Sequence, residues 1–142
     1  MTPTQTTPET RTGGCHCGAV RYEAWGKVFN ATVCHCTLCR GTTGAPAVAW
    51  FSVEATHFRL TRGQPQSYRS TPRGNRTFCA VCGTQLTFRE DGETAIDITT
   101  ASLDEPAAAA VAPRDQTYAR SALPWMDGLH VLPRIAASRD KG

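Results

Sequence analysis

Seven cysteines in this 142-residue chain fall into three tight groups: Cys15-His16-Cys17, Cys34-His35-Cys36-Thr37-Leu38-Cys39 and Cys79-Ala80-Val81-Cys82. No other feature constrains the fold as strongly, because sulfurs this close in sequence are spaced to chelate. A closed structural zinc site takes four thiolates, whereas a reactive one commonly keeps three protein ligands and leaves the fourth position to water or substrate. One site of each kind uses all seven.

The central group is already a compact chelate, so Cys34, Cys36 and Cys39 are read together as one site. Cys15 and Cys17 are then left to meet Cys79 and Cys82 across a long stretch of chain, a metal staple whose binding energy is part of folding. In an extended Cys-x-Cys segment both sulfurs leave on one face, since strand side chains alternate, and the intervening His16 and His35 point the other way. Cys79-x-x-Cys82-Gly83 reads as a tight turn whose glycine adopts positive φ. Two zinc ions per chain are expected. The competing reading is a disulfide framework in a small secreted protein. Against it stand the odd count, the chelating spacings and a polar, threonine-rich segment 1–14 without the apolar core of a signal peptide.

The length suits one domain with a modest core, expected over residues 13–135 between tails at 1–12 and 136–142. The apolar stretches at 45–51 and 107–112 are too short, or too broken by proline, to cross a bilayer. A cytoplasmic protein without a membrane partner is expected. The formal charge of +3 counts every cysteine as neutral; seven thiolates and two zinc ions bring it to 3 − 7 + 4 = 0. Arginines are scattered rather than massed in a stripe interleaved with aromatics, so no nucleic-acid partner is expected.

Short alternating segments separated by glycine and proline predict a mainly β, antiparallel protein. Candidate strands cover 19–24, 27–33, 47–52, 56–61 and 66–70. A hairpin is predicted from 84–89 and 94–100 around Glu90-Asp91-Gly92-Glu93, because Asp and Gly both tolerate the positive φ of a tight hairpin turn. The alanine run at 107–112 is either a short helical turn or a connector. Residues 116–134 are read as irregular chain lying across the sheet.

The runs Gly14-Cys15-His16-Cys17-Gly18-Ala19-Val20-Arg21-Tyr22, Cys34-His35-Cys36-Thr37-Leu38-Cys39-Arg40 with Gly44-Ala45-Pro46, and Phe78-Cys79-Ala80-Val81-Cys82-Gly83-Thr84 resemble the glutathione-dependent formaldehyde-activating enzyme family. The likeness extends over roughly residues 13–135, including Trp125 and Leu132-Pro133. It implies curved antiparallel sheets of the Mss4-like or β-tent type. It also implies a structural zinc at Cys15, Cys17, Cys79 and Cys82, and a catalytic zinc at Cys34, Cys36 and Cys39. The implied activity is that of a carbon-sulfur lyase resembling S-(hydroxymethyl)glutathione synthase. Such an enzyme joins or cleaves a small thiol such as glutathione and an aldehyde such as formaldehyde. The alternative is a non-catalytic zinc module that binds a thiol ligand or a partner protein, since a fold alone licenses no activity.

Arg40 follows Cys39 directly and is a candidate clamp for a substrate carboxylate; the competing account is that it offsets cluster charge or lies in solvent. His35 is a candidate proton relay, with structural or solvated histidine as the simpler account of both His16 and His35. Trp50, Phe51, Phe58, Tyr68, Phe78 and Phe88 are read as the buried face of the sheets. Asp97 is placed on an outward face and given no role.

Overall fold

The computed structural model describes residues 9–139. The chain runs through β1 (Thr10–Gly14), β2 (Arg21–Trp25) and β3 (Phe29–Cys34), then helix α1 (Thr37–Thr43). Six strands follow: β4 (Val48–Glu54), β5 (Phe58–Arg62), β6 (Gln66–Arg69), β7 (Gly74–Phe78), β8 (Gln85–Glu90) and β9 (Ala95–Thr99). A single turn of helix, α2 (Ala107–Ala110), precedes the last strand, β10 (Asp115–Thr117). Three-residue helical turns cap the ends of β4, β9 and β10, and a longer one spans Pro124–Val131.

Two sheets result. The smaller is antiparallel in the order β1-β2-β5, and the larger runs β10-β3-β4-β9-β8-β7-β6, antiparallel except where β10 joins β3. The mainly β expectation therefore holds. So does the hairpin: β8 and β9 pair antiparallel across a turn in which Gly92 sits at φ 85° and Glu93 N–H donates to the Glu90 carbonyl.

Strand alternation divides the large sheet into two faces with different jobs. Phe51 and Val53 of β4, Leu86 of β8, and Ile96 and Ile98 of β9 join Tyr22 and Ala24 of β2 in one apolar cluster, which packs the two sheets together. Trp50 and Ser52 of β4 and Asp97 of β9 alternate with them and line a cavity on the opposite side, joined there by Phe88, which lies two positions from Leu86 yet on the other face because the β7–β8 register shifts between Thr77 and Phe78. The aromatic set read as a buried face is thus split. Phe51 lies in the core with Phe58 packed against it, Trp50 and Phe88 line the cavity, and Tyr68 is exposed. A period-two pattern specifies two faces but does not say that both will be covered.

Two further expectations are corrected. Residues 10–12, placed in a tail, form the first half of β1, where Thr10 and Thr12 pair with Trp25 and Glu23. Thr12 Oγ1 also donates to Asp104 Oδ2 at 2.7 Å, and the same carboxylate forms an ion pair with Arg21. Residues 1–8 and 140–142 lie outside the described residues. The segment 116–134 is not wholly irregular. It opens with the parallel pairing of β10 on β3, and its Trp125, Leu129, Val131 and Leu132 are exposed. Among the described residues no helix is long and apolar enough to cross a membrane.

Candidate metal centres

Cys15 and Cys17 sit in the turn between β1 and β2, and Cys79 and Cys82 in the turn between β7 and β8, so the four-sulfur group ties the small sheet to the large one. The sulfurs lie within 4.8 Å of one another, with Cys15 to Cys17 at 3.6 Å and Cys17 to Cys79 at 3.7 Å. Those separations are far beyond a disulfide bond of about 2.05 Å. They match the spacing of about 3.8 Å that tetrahedral coordination at a zinc–sulfur distance of about 2.3 Å demands.

Each pair is presented by a turn closed by a glycine, three residues after Cys15 and four after Cys79. Gly18 N–H donates to the Cys15 carbonyl and Gly83 N–H to the Cys79 carbonyl, with both glycines at φ 84°. A Cβ at either glycine would have open space around it, so the glycine is required by backbone conformation rather than by crowding. The expected extended form of Cys15-x-Cys17 is therefore replaced by a turn, because the chain must reverse between two antiparallel strands.

The second group takes its sulfurs from three structural contexts. Cys34 ends β3, Cys36 is extended and serves as N-cap of α1, and Cys39 lies in that helix's first turn. Cys39 N–H donates to Cys36 Sγ at 3.2 Å, and Cys39 Sγ lies 3.6 Å from Cys34 Sγ. The three sulfurs lie within 4.8 Å of one another, and no fourth His, Cys, Asp or Glu joins them among the described residues. Burial, with the nearby Cys36 and Cys34 sulfurs adding to it, pushes the Cys39 thiol up to about 12. Cys36 goes the other way: against the cost of its partial burial, the Cys39 backbone N–H and neighbouring thiols pull it below the ordinary thiol value. Without a cation the cluster cannot be fully ionised. The donor set and spacing fit a thiophilic ion such as zinc at each group.

Neither histidine joins a cluster. His16 is exposed, while His35 is buried beside β10, its Nε2 2.8 Å from Gln116 Oε1 and its backbone N–H on the Thr117 carbonyl. The extended reading of Cys34-x-Cys36, with the histidine turned away, is what the structure shows.

A cavity of about 510 Å³ opens on Cys34, Cys36 and Cys39. Its floor is the outer face of β4, β8 and β9, and its rim carries Tyr118, Arg120 and Ser121, delivered there by β10. Asn30 and Tyr118, the two non-glycine residues with positive φ among the described residues, both line it. Left-handed backbone at such residues carries a cost and clusters at functional sites.

Arg40 is not a lining residue. Its Nη1 donates to the Ser121 carbonyl at 3.0 Å, and its neighbours Leu123 and Trp125 belong to a separate surface depression. The arginine that sequence reasoning passed over is Arg76 of β7, which is buried, lines the cavity and approaches Cys39 Sγ at 3.8 Å through Nη2. The available signal was the register that sets Arg76 opposite Phe88, which strand propensity does not supply.

Asp97 does occupy the outward face of β9, but that face is the cavity floor, where Ser52 Oγ donates to Asp97 Oδ1 at 2.6 Å. Desolvation raises its carboxyl above the ordinary value of 3.8, against the Ser52 hydrogen bond that lowers it. A raised carboxyl favours the folded state below the unfolded value and loses that contribution as pH rises through the folded value. Asp97→Asn, which keeps the Oδ1 acceptor, is therefore expected to melt higher than wild type at pH 7. The difference should close as pH falls below about 3.8; a lower melting point at pH 7 would refute it.

Two comparisons with known proteins complete this picture. The family described as "Glutathione-dependent formaldehyde-activating enzyme" matches residues 10–121, most of the chain. A crystal structure of a Rhodobacter sphaeroides protein, solved as a structural-genomics target, superposes with a TM-score of 0.59 at 24% identity. The alignment covers 75% of this chain and 99% of that one, and at that identity it establishes the shared fold alone.

Proposed function

Because the chain belongs to the glutathione-dependent formaldehyde-activating enzyme family, we propose that it is a zinc-dependent carbon-sulfur lyase. It joins a glutathione-like thiol and formaldehyde into an S-(hydroxymethyl) adduct, and cleaves the same adduct in reverse. The observation that carries this reading is the open three-sulfur group of Cys34, Cys36 and Cys39 at the wall of a cavity large enough for a small peptide thiol. The closed group of Cys15, Cys17, Cys79 and Cys82 is assigned the structural zinc, giving two ions per chain.

When bound at the three-sulfur group, zinc supplies a charge that removes a thiol's proton at neutral pH, where a free thiol of pKa about 8.5 is mostly protonated. The chain's own residues select and orient the ligand. Arg120 stands at the rim, while Asp97 and Glu90 belong to the sheet that forms the floor. A rim cation set apart from floor carboxylates suits a thiol that carries both carboxylate and ammonium groups, as glutathione does. Trp50 and Phe88 provide apolar surface between them. Arg40 is assigned a supporting role: by holding the Ser121 carbonyl it fixes the segment that carries Arg120, and the carboxylate-clamp role passes to Arg120.

The test is an exchange NMR measurement of glutathione, formaldehyde and adduct at equilibrium, with the uncatalysed exchange recorded alongside and zinc per chain counted by native mass spectrometry. Faster exchange in two-zinc protein is expected. Exchange at the uncatalysed rate, with both sites filled, would reject the reading.

A further inference from the structure

The three-sulfur group stands at one end of the cavity floor, and a carboxylate stands at the other. On β4, Val48 lies opposite Cys34 and Ser52 lies opposite Asp97, so four steps of strand at about 3.3 Å each set the two ends about 13 Å apart. Asp97 is half-buried there, paired across the sheet with Phe88. Ser52 Oγ donates to its Oδ1 at 2.6 Å, while Oδ2 has no hydrogen-bond partner among the described residues. Nor is Oδ2 covered: the buried side-chain atoms left without a partner there belong to His35, His57 and Arg76. Oδ2 therefore opens on the cavity.

No Lys, Arg or His lies within ion-pair distance of Asp97 among the described residues. The charges that act on it are Glu90, which opposes its ionisation, and Arg76, which favours it. A carboxylate withdrawn from water costs free energy unless a cation or hydrogen bonds match it. An asparagine would keep the Ser52 bond without that cost. A carboxylate at this position is thus a poor choice for stability and a good one for a ligand that brings positive charge.

We propose that Asp97 determines which thiol the cavity accepts, its Oδ2 receiving the ammonium group of a γ-glutamyl thiol whose sulfur lies at Cys34, Cys36 and Cys39. The inference rests on the lyase reading above and narrows its substrate class. Thiols with a free ammonium carried well away from the sulfur are selected, and thiols whose amine is acylated or absent are disfavoured. The span along β4 suits the first class, because a γ-glutamyl group holds its ammonium at the far end of a side chain, away from the cysteine it is joined to. Phe88 and Trp50 line the same floor, where aromatic faces attract a cation and exclude the water that would screen the pair. Asp97 touches no reacting atom, so its effect falls on binding.

The experiment measures calorimetric binding of two stable thioethers, S-methylglutathione and S-methyl-N-glutaryl-cysteinylglycine, to zinc-loaded wild type and Asp97→Asn. The second ligand lacks only the γ-glutamyl ammonium. Wild type is expected to prefer S-methylglutathione by about 10- to 100-fold, the scale of one hydrogen bond to a charged group. Asp97→Asn keeps Oδ1 on Ser52 and puts an amide N–H where Oδ2 stood, so the preference should vanish through weaker binding of S-methylglutathione alone. In exchange NMR the loss should appear in the glutathione KM rather than in kcat. Equal binding of the two thioethers by wild type, binding of neither, or an undiminished preference in the variant would overturn the proposal. So would equal weakening of both ligands in the variant, which is what a merely structural role gives. Exchange at the uncatalysed rate by two-zinc wild type would count against the lyase reading instead, since the thioether comparison involves no chemistry.

Discussion

Cys79→Ser is expected to yield a chain that does not unfold cooperatively, with loss of near-ultraviolet circular dichroism and of both sheets' mutual packing. Cys79 is buried, contributes one of four sulfurs, and accepts the backbone N–H groups of Val81 and Cys82 that shape its turn. Structural zinc sites contribute about 10–16 kcal/mol in small domains, whereas a domain's whole net stability is about 5–15 kcal/mol. Loss of the ion therefore outweighs what the apolar core retains. A strong chelator should reproduce the effect on wild type under reducing conditions. A cooperative melt within a few degrees of wild type, in protein shown to lack this ion, would show that the core alone holds the sheets together.

Cys36→Ser should separate chemistry from folding. Cys36 is half-buried and its sulfur caps α1; a serine hydroxyl caps equally well, so the cap energy of about 1 kcal/mol is preserved. With two sulfurs remaining, the second group no longer provides the three ligands of a reactive zinc site. The expected product keeps one zinc and a melting temperature close to wild type, and exchanges glutathione and formaldehyde at the uncatalysed rate. Acceleration retained by this one-zinc protein would move the reaction away from Cys34, Cys36 and Cys39.

The two predictions rest on a division of the cysteines that was legible before any coordinates, because coordination number and local spacing are both written in the chain. The β8–β9 hairpin was legible for a similar reason: Asp91-Gly92 specifies a turn from two adjacent residues. Some of what escaped depends on partners distant in sequence, and some on local contacts that outweigh poor propensity. β7 reads Gly-Asn-Arg-Thr-Phe, a polar segment whose strand character comes from pairing with β6 and β8. α1 contains Gly41, Thr42 and Thr43, poor helix formers, and is fixed by the Cys36 cap, by threonine hydroxyls bonded to preceding carbonyls and by Gly44. Arg40 drew attention by adjacency to Cys39. On a helix, however, successive side chains are about 100° apart, so a neighbour in sequence points elsewhere. Arg76 is 37 positions from Cys39 and arrives beside it only through sheet register.

The large sheet also ends in a way that bears on how the protein behaves in crowded solution. Its two margins are β6, four exposed residues including Arg69, and β10, three residues beginning with Asp115. A long, flat margin presents unpaired backbone groups on which a foreign strand can grow, whereas short, charged margins give such growth little purchase. At β10 this brevity has a second result. The chain leaves the sheet at Tyr118, in left-handed backbone, and bends over the cysteines. The short strand that limits self-association into aggregates is thus also the one from which the mouth of the cavity is built.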